Sequence, residues 1–275
     1  MKKYRLTSIN LTTTCPFFSP DIVCIHDAAY FEISKILTHN LYGKLSTIWH
    51  RLLARAAAKR AKKILTVSFY SEDKLSNILG VAKGQFAVIR NAWQHLNRVE
   101  PDDSIFESLP QVIEKKSYFM ALSSLSPQKN FIWITEVAKR NPDKQFVVCG
   151  SVEAYTKDGG EELKADNVHF TGFVSDGQMK SLMSQCKAFI HPAIYEGFGI
   201  PPLEALSCGA QLILSTATCL PEIYGNVAHY IDPYKYDYDL DALLQEPVED
   251  ASSILGKYNW AEEAKKLLLI VRESK

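Results

Sequence analysis

The sequence predicts an α/β protein built on parallel strands, with a boundary near residue 100. Three observations carry this. From Tyr118 onward, short apolar runs alternate with longer helical patterns, as parallel strands and crossover helices do. Before Asn91 the strands are fewer and shorter. Between the two regions, Glu100-Pro101-Asp102-Asp103-Ser104 and the following Pro110 break both periods and read as a surface connection.

In chain order, Tyr4–Thr12 alternates loosely, and Asp21–Ile25, Lys63–Val67 and Phe86–Arg90 are short apolar runs that read as strands. Helical patterns fall at 42–62 and 71–79. The second region offers strands at 117–122, 145–149, 167–170, 187–191, 211–214 and 228–231. Its helices are expected at 130–140, 176–185, 202–207, 237–245 and 259–272. In such a sheet both faces are covered, and ligands bind beyond the carboxyl ends of the strands. The expected domains are 1–98, 99–258 and a C-terminal helix, 259–275, packing back toward the first domain.

The 275 residues are 47% hydrophobic and 23% charged, ordinary for a globular protein with a real core. No apolar run reaches the ~18–20 residues of a membrane span. Met1-Lys2-Lys3 is not followed by the apolar stretch of a secretory signal. The six cysteines are scattered without a Cys-x2-Cys pair, which favours reduced thiols in a cytoplasmic protein over zinc or disulfides.

Net charge is zero, yet residues 1–100 hold 15 Lys/Arg against 6 Asp/Glu, and the remainder the reverse excess. Much of the basic excess lies in the helix at 44–63, where Leu45, Ile48, Trp49, Leu52 and Leu53 give an apolar side. It reads either as a solvated basic face or as a contact with an anionic membrane surface or lipid-phosphate acceptor.

The most informative segment is Tyr195-Glu196-Gly197-Phe198-Gly199-Ile200-Pro201-Pro202-Leu203-Glu204-Ala205. A strand end, a glycine turn and a helix start succeed one another there. Glycines let backbone approach a ligand, and a helix N-terminus favours negative charge. The carboxylates of Glu196 and Glu204 can accept hydrogen bonds from sugar hydroxyls. After the first strand of the second region, Ser123-Ser124-Leu125-Ser126-Pro127-Gln128-Lys129-Asn130 opens a helix, and Lys129 with nearby N–H groups suits a second face of the same diphosphate.

The segment from Phe189 to Gly209 resembles the signature of retaining glycosyltransferases of family 4, which have the GT-B fold of two Rossmann-like domains. Leu220-Pro221-Glu222-Ile223, Pro127-Gln128-Lys129-Asn130 and Thr171-Gly172-Phe173-Val174-Ser175-Asp176 resemble further segments of that family. So do Val23-Cys24-Ile25-His26-Asp27, the run from Ile64 to Ser71, and Val88-Ile89-Arg90-Asn91. The resemblance implies a retaining hexosyltransferase using a nucleotide-diphosphate sugar, without a cofactor or bound metal. Glu196 would bond the donor sugar, and Gly197, Phe198 and Gly199 would lie against sugar and diphosphate. Glu204 would bond the ribose, and Lys129, with Ser124 and Asn130 beside it, would hold the diphosphate. Phe173 and Val174 would border the base, and His26 would face donor sugar and acceptor. A saccharide or lipid-linked acceptor, polysaccharide or glycolipid synthesis, and a cytoplasmic location at the inner membrane face are the corresponding expectations. Nucleic acid is not an expected partner.

Departures from the family pattern are Gln128 where Arg is frequent, Ser123 where Gly is frequent, and a first domain of about 100 residues. The short domain implies that an edge and face of its sheet are covered by residues 4–14, a second subunit or a partner. It also motivates a rival reading, a non-catalytic sugar-nucleotide-binding subunit. An NAD-binding oxidoreductase is disfavoured because no Gly-x-Gly-x-x-Gly follows an early strand. Asp237-Tyr238-Asp239-Leu240-Asp241 reads as helix capping rather than metal binding. His191 reads as structural, and Trp49, Trp93, Trp133 and Trp260 as packing residues.

Overall fold

The computed structural model describes residues 6–12, 21–37, 41–122, 127–150 and 165–274. The chain forms two compact units, Met1–Asn91 with Tyr195–Phe198 and Tyr258–Lys275, and Ala92–Ile194 with Gly199–Lys257.

The first unit carries β1 (Ile9–Asn10), β2 (Ile22–Cys24), α1 (Leu41–Arg60), β3 (Lys63–Thr66), α2 (Phe69–Leu79) and β4 (Phe86–Val88). The strands run parallel in the order β1-β2-β3-β4. Successive side chains alternate between faces. Val23, Ile25 and Ile64 therefore meet the helices, while Ile22, Cys24 and Leu65 point the other way. Ala54, Ala57, Ala58 and Ala61 form the buried side of α1 and let it lie close on the sheet. Ser68 caps α2 by accepting the Ser71 N–H at 3.1 Å, and left-handed Gly80 (φ 65°) ends it.

Of the loose alternation at Tyr4–Thr12, Tyr4 and Arg5 lie outside the described residues, and the described part forms the two-residue strand Ile9–Asn10. Asn10 Oδ1 accepts the Thr12 N–H at 2.9 Å, a side-chain turn that stops the pairing. The Asp21 carboxylate ties β1 to β2 by accepting the Ser8 N–H at 2.9 Å, and this bond holds its carboxyl below the usual range.

The second unit carries β5 (Tyr118–Leu122), α3 (Phe131–Arg140), β6 (Gln145–Cys149), β7 (Val168–Gly172), α4 (Asp176–Gln185) and β8 (Ala188–His191). It continues with α5 (Ile200–Ser207), β9 (Gln211–Ser215), α6 (Leu220–Tyr224), β10 (His229–Ile231) and α7 (Leu240–Gln245). All six strands are parallel, in the order β10-β9-β8-β5-β6-β7. Phe119, Phe146, Ile190 and Ile213 line one face of the sheet and bury Trp133 and Val137 of α3. The Trp133 indole N–H donates to the Lys235 carbonyl at 2.7 Å. A reciprocal Ser175–Gln178 capping box fixes the start of α4. α7 starts at Leu240, three residues later than the sequence pattern suggests, because the Asp239 carboxylate caps it through the Asp241 and Ala242 N–H groups.

The chain then returns to the first unit as α8 (Trp260–Glu273), capped by Asn259. Its Leu267, Ile270 and Val271 cover the sheet face of Ile22, Cys24 and Leu65. Among the described residues no helix is long and apolar enough to cross a membrane.

Candidate functional site

The strand order of the second unit sets the position of its loops. From β5 the chain moves outward through β6 and β7, then returns to the other side of β5 as β8. The switch point therefore lies between β5 and β8, where open parallel sheets leave a crevice beyond the strand ends. The loops leaving both strands meet there. The Ile194 N–H donates to the Gln128 carbonyl at 2.8 Å, and the Asn130 amide donates to the carbonyls of Pro192 (3.1 Å) and Pro233 (2.8 Å). Asn130 takes a left-handed backbone (φ 56°), directly before α3. Its side chain thus braces the loops after β8 and β10. Lys129 is half-buried in a short 3-10 turn beside it. Ser123 and Ser124 lie outside the described residues.

Past Ile194, the segment Tyr195–Phe198 belongs to the first unit. The buried Tyr195 hydroxyl accepts the Ala28 N–H at 3.2 Å, and burial pushes its pKa up. A Cβ on Gly197 would stand 2.9 Å from Asp27 Cβ and 3.3 Å from the His26 carbonyl oxygen. Only a glycine lets the turn lie this close on His26-Asp27. Asp27 in turn accepts the Ala29 N–H at 2.8 Å. Phe198 is buried edge-on against the Tyr258 ring, centroids 5.3 Å apart. His26 Nε2 lies 3.3 Å from the Leu11 carbonyl oxygen. It borders a cavity of about 230 Å³ within this unit, lined also by Cys24, Leu65, Arg90 and Leu267. Glu196 is half-buried on the same turn.

Gly199 re-enters the second unit as the N-cap of α5, with φ 85° and ψ 67°. Pro201 and Pro202 then occupy the first turn of α5 and carry no N–H. Of the four backbone positions at its start that lack an intrahelical acceptor, Gly199 to Pro202, only Gly199 and Ile200 carry an N–H. The anion-binding capacity read from the sequence thus rests on fewer donors than a helix start ordinarily supplies. One turn on, the Glu204 carboxylate meets His95 Nε2 at 2.8 Å. Lys180 Nζ donates to the Leu96 and Val99 carbonyls at 2.9 and 2.8 Å, which pins the segment bearing His95. Sequence reasoning did not single out His95. A lone histidine in an irregular connection has no spacing to mark it.

Phe173 and Val174 diverge sharply. Phe173 is 97% exposed, whereas Val174 is buried. Asp241 is held by the ammonium groups of Lys144 and Lys187, and no cluster of His, Cys, Asp or Glu among the described residues is arranged for a metal. His191 is buried and stacked near Phe189. The reading of the four tryptophans as packing residues needs correction. Trp133 is fully buried, but Trp49 is 47% exposed on α1, because it lies on the side of the helix turned away from the sheet, and Trp260 at the start of α8 is 39% exposed.

The model of the family described as Glycosyl transferases group 1 matches residues 105–253. The O-antigen chain mannosyltransferase RfbU of Salmonella typhimurium is 30% identical over 228 residues, 80% of this chain and 59% of that protein. The MMP alpha-(1->4)-mannosyltransferase of Mycolicibacterium hassiacum is 32% identical over 70% of this chain and 46% of its own length. The chain thus spans about half the length of these curated relatives. Among solved structures, sucrose-phosphate synthase from Thermosynechococcus elongatus superposes with a TM-score of 0.72 at 17% identity, covering 92% of this chain and 67% of that one. HepE of Anabaena in complex with UDP-glucose gives 0.70 at 18% identity, covering 92% of this chain and 72% of that one. At these identities the likeness is one of fold, and that fold is GT-B, the class the sequence predicts.

Proposed function

Since the chain belongs to the Glycosyl transferases group 1 family, we propose that it serves transfer of a hexose from a nucleotide-diphosphate sugar to a hydroxyl of a saccharide or lipid-linked acceptor, with retention at the anomeric carbon. The products belong to surface polysaccharide or glycolipid synthesis, and mannose is the hexose that the relatives' names suggest first. The observation that supports the reading is the meeting of the β5 and β8 exits at the switch point, where the Ile194 N–H donates to the Gln128 carbonyl and the Asn130 amide to that of Pro192.

In this reading Lys129 neutralises the diphosphate as the bond from the anomeric carbon to its phosphate oxygen breaks. The backbone of Gly197, Phe198 and Gly199 lies against sugar and diphosphate. Glu196 accepts hydrogen bonds from the hexose hydroxyls, and Glu204 from the ribose. Asn130 holds the loops in register, as its two bonds to backbone carbonyls suit it to do. Phe173 borders the base from an exposed position, with Val174 beneath. His26 faces the reacting sugar and the acceptor. The incoming hydroxyl attacks the face that the diphosphate leaves, and the departing phosphate oxygen takes its proton.

The test is twofold. A thermal-shift screen against GDP, UDP and their hexose conjugates should find one that raises the unfolding temperature, because a ligand at 100 times its dissociation constant stabilises by about 2.7 kcal/mol. Glu196→Ala should then abolish transfer while nucleoside diphosphate binding persists. Transfer at the unchanged rate in that variant would refute the assignment of Glu196.

A further inference from the structure

The longest helix of the first unit presents a second face that its own sheet does not use. α1 runs 20 residues, about 30 Å. Its inner side is made by Leu53, Ala54, Ala57 and Ala58, all buried. Half a turn away, Leu41, Leu45, Ile48 and Leu52 follow one another at i, i+4, i+7 and i+11 and are 73%, 58%, 54% and 57% exposed. Tyr42 (81%) and Trp49 (47%) widen the stripe on one side. A row of large apolar side chains of this length is more than scattered surface hydrophobicity and marks an interaction site.

The charge around the stripe selects the occupant. Eighteen residues are five helical turns, so Lys59 lies in line with Leu41, and Arg60 in line with Tyr42. The stripe is apolar over its first three turns and cationic at its end. Lys44 and Arg55 are exposed along the edge opposite Tyr42 and Trp49. No Asp or Glu occurs between Leu41 and Arg60. Lys44, Lys59 and Arg60 form no ion pair with any described residue. Nearby Glu32 is already paired with Lys74 at 2.8 Å. In a symmetric contact between two copies of α1, a parallel pairing would set each cation against its own copy and an antiparallel one would set Lys59 and Arg60 against Leu41 and Tyr42, with no acidic partner in either, whereas a surface carrying anionic headgroups over an apolar interior complements both parts of the stripe. The five Lys/Arg of the helix prevent it from spanning, so it would lie in the interface plane. Tyr42 and Trp49, each apolar with one polar atom, suit that depth.

We propose that the outer face of α1 is a docking surface for an anionic lipid bilayer, with the apolar residues from Leu41 to Leu52 entering the headgroup boundary and Lys44, Arg55, Lys59 and Arg60 engaging phosphates. This inference is independent of the donor-sugar reading.

The experiment is vesicle flotation of the full chain with phosphatidylcholine alone and with phosphatidylcholine containing phosphatidylglycerol, at low and high salt. The chain should float with the anionic vesicles and be released by salt. Lys59→Ala and Arg60→Ala should each weaken partitioning roughly fivefold, the effect of about 1 kcal/mol per basic residue near such a surface. Leu45→Glu with Ile48→Glu should abolish it while thermal unfolding and nucleoside diphosphate binding stay as in the parent. Equal flotation with neutral and anionic vesicles would overturn the proposal. So would a concentration-dependent dimer in lipid-free solution that the double glutamate variant dissociates, since the face would then be a protein interface. Should that variant fail to fold, the two single alanine variants and the salt series decide the matter alone.

Discussion

Gly199 offers a quantitative test of how the site loop is held, through substitution by alanine. Two costs follow from the structure. The first is backbone strain, because φ is +85° and an L residue in that region gives up roughly 1–2 kcal/mol. The second is steric, because the new methyl would stand 2.9 Å from Leu220 Cδ2. Leu220 is fully buried, so its side chain has no solvent to swing into. Overpacking of this kind costs roughly 1–3 kcal/mol. Together Gly199→Ala should destabilise by about 2–5 kcal/mol. Gly209 supplies the internal control, since its φ is +81° and a Cβ there meets nothing within 4 Å. Gly209→Ala should therefore show the strain alone, about 1–2 kcal/mol. Urea unfolding of the two variants and the parent measures both, with unchanged slopes required for the comparison. In a Leu220→Ala background the steric part should vanish, which appears as a favourable coupling of about 1–3 kcal/mol between the two sites. If Gly199→Ala and Gly209→Ala lie within about 0.5 kcal/mol of each other, the close packing of Gly199 against Leu220 is refuted.

Three further outcomes are expected. Glu204→Ala should weaken nucleoside diphosphate binding by about 10–100-fold in titration calorimetry, the loss of charged hydrogen bonds to the ribose, and an unchanged affinity would remove Glu204 from the site. Glu263→Ala should destabilise by roughly 1–3 kcal/mol in thermal unfolding, because the buried carboxylate accepts the Arg90 N–H at 3.0 Å and that donor would be left without it. Lys144 and Lys187 hold the Asp241 carboxyl below its ordinary value, so its contribution is present above about pH 4 and is lost as pH falls through the lower folded value. Asp241→Asn should thus cost up to about 1 kcal/mol at neutral pH, where the pairs are partly screened by solvent. The stability difference should close in acid, and a difference that is constant with pH would contradict the pairing.

Where the sequence carried its own punctuation, the structure follows it closely. The helix expected at 176–185 is found at Asp176–Gln185, because Ser175 and Gln178 spell out a capping box. The helix at 42–62 is found at Leu41–Arg60, its alanines marking the side that approaches the sheet. The parallel strands of the second unit were legible as apolar runs, since both faces of that sheet are covered. What was not legible depends on tertiary placement. Phe173 and Val174 are adjacent and both apolar, yet one is exposed and the other buried. The partner of Glu204 is His95, more than a hundred residues earlier in the chain. The five residues Leu45, Ile48, Trp49, Leu52 and Leu53 that give α1 its apolar side do not share one environment. Leu53 is buried with the alanines that contact the sheet, whereas Leu45, Ile48, Trp49 and Leu52 face outward.

The return of the chain to its first unit as α8 bears on the order of events during synthesis. The strands of that unit leave the ribosome first, but Ile22, Cys24 and Leu65 acquire their cover of Leu267, Ile270 and Val271 only when α8 has been made. Some 170 residues separate Asn91 from Trp260. At roughly 5–20 residues per second, that interval is about 10–30 s. Throughout it, one apolar face of the nascent sheet stands open while the second unit is still being translated. The first unit is thus begun before the second and gains this cover only after it.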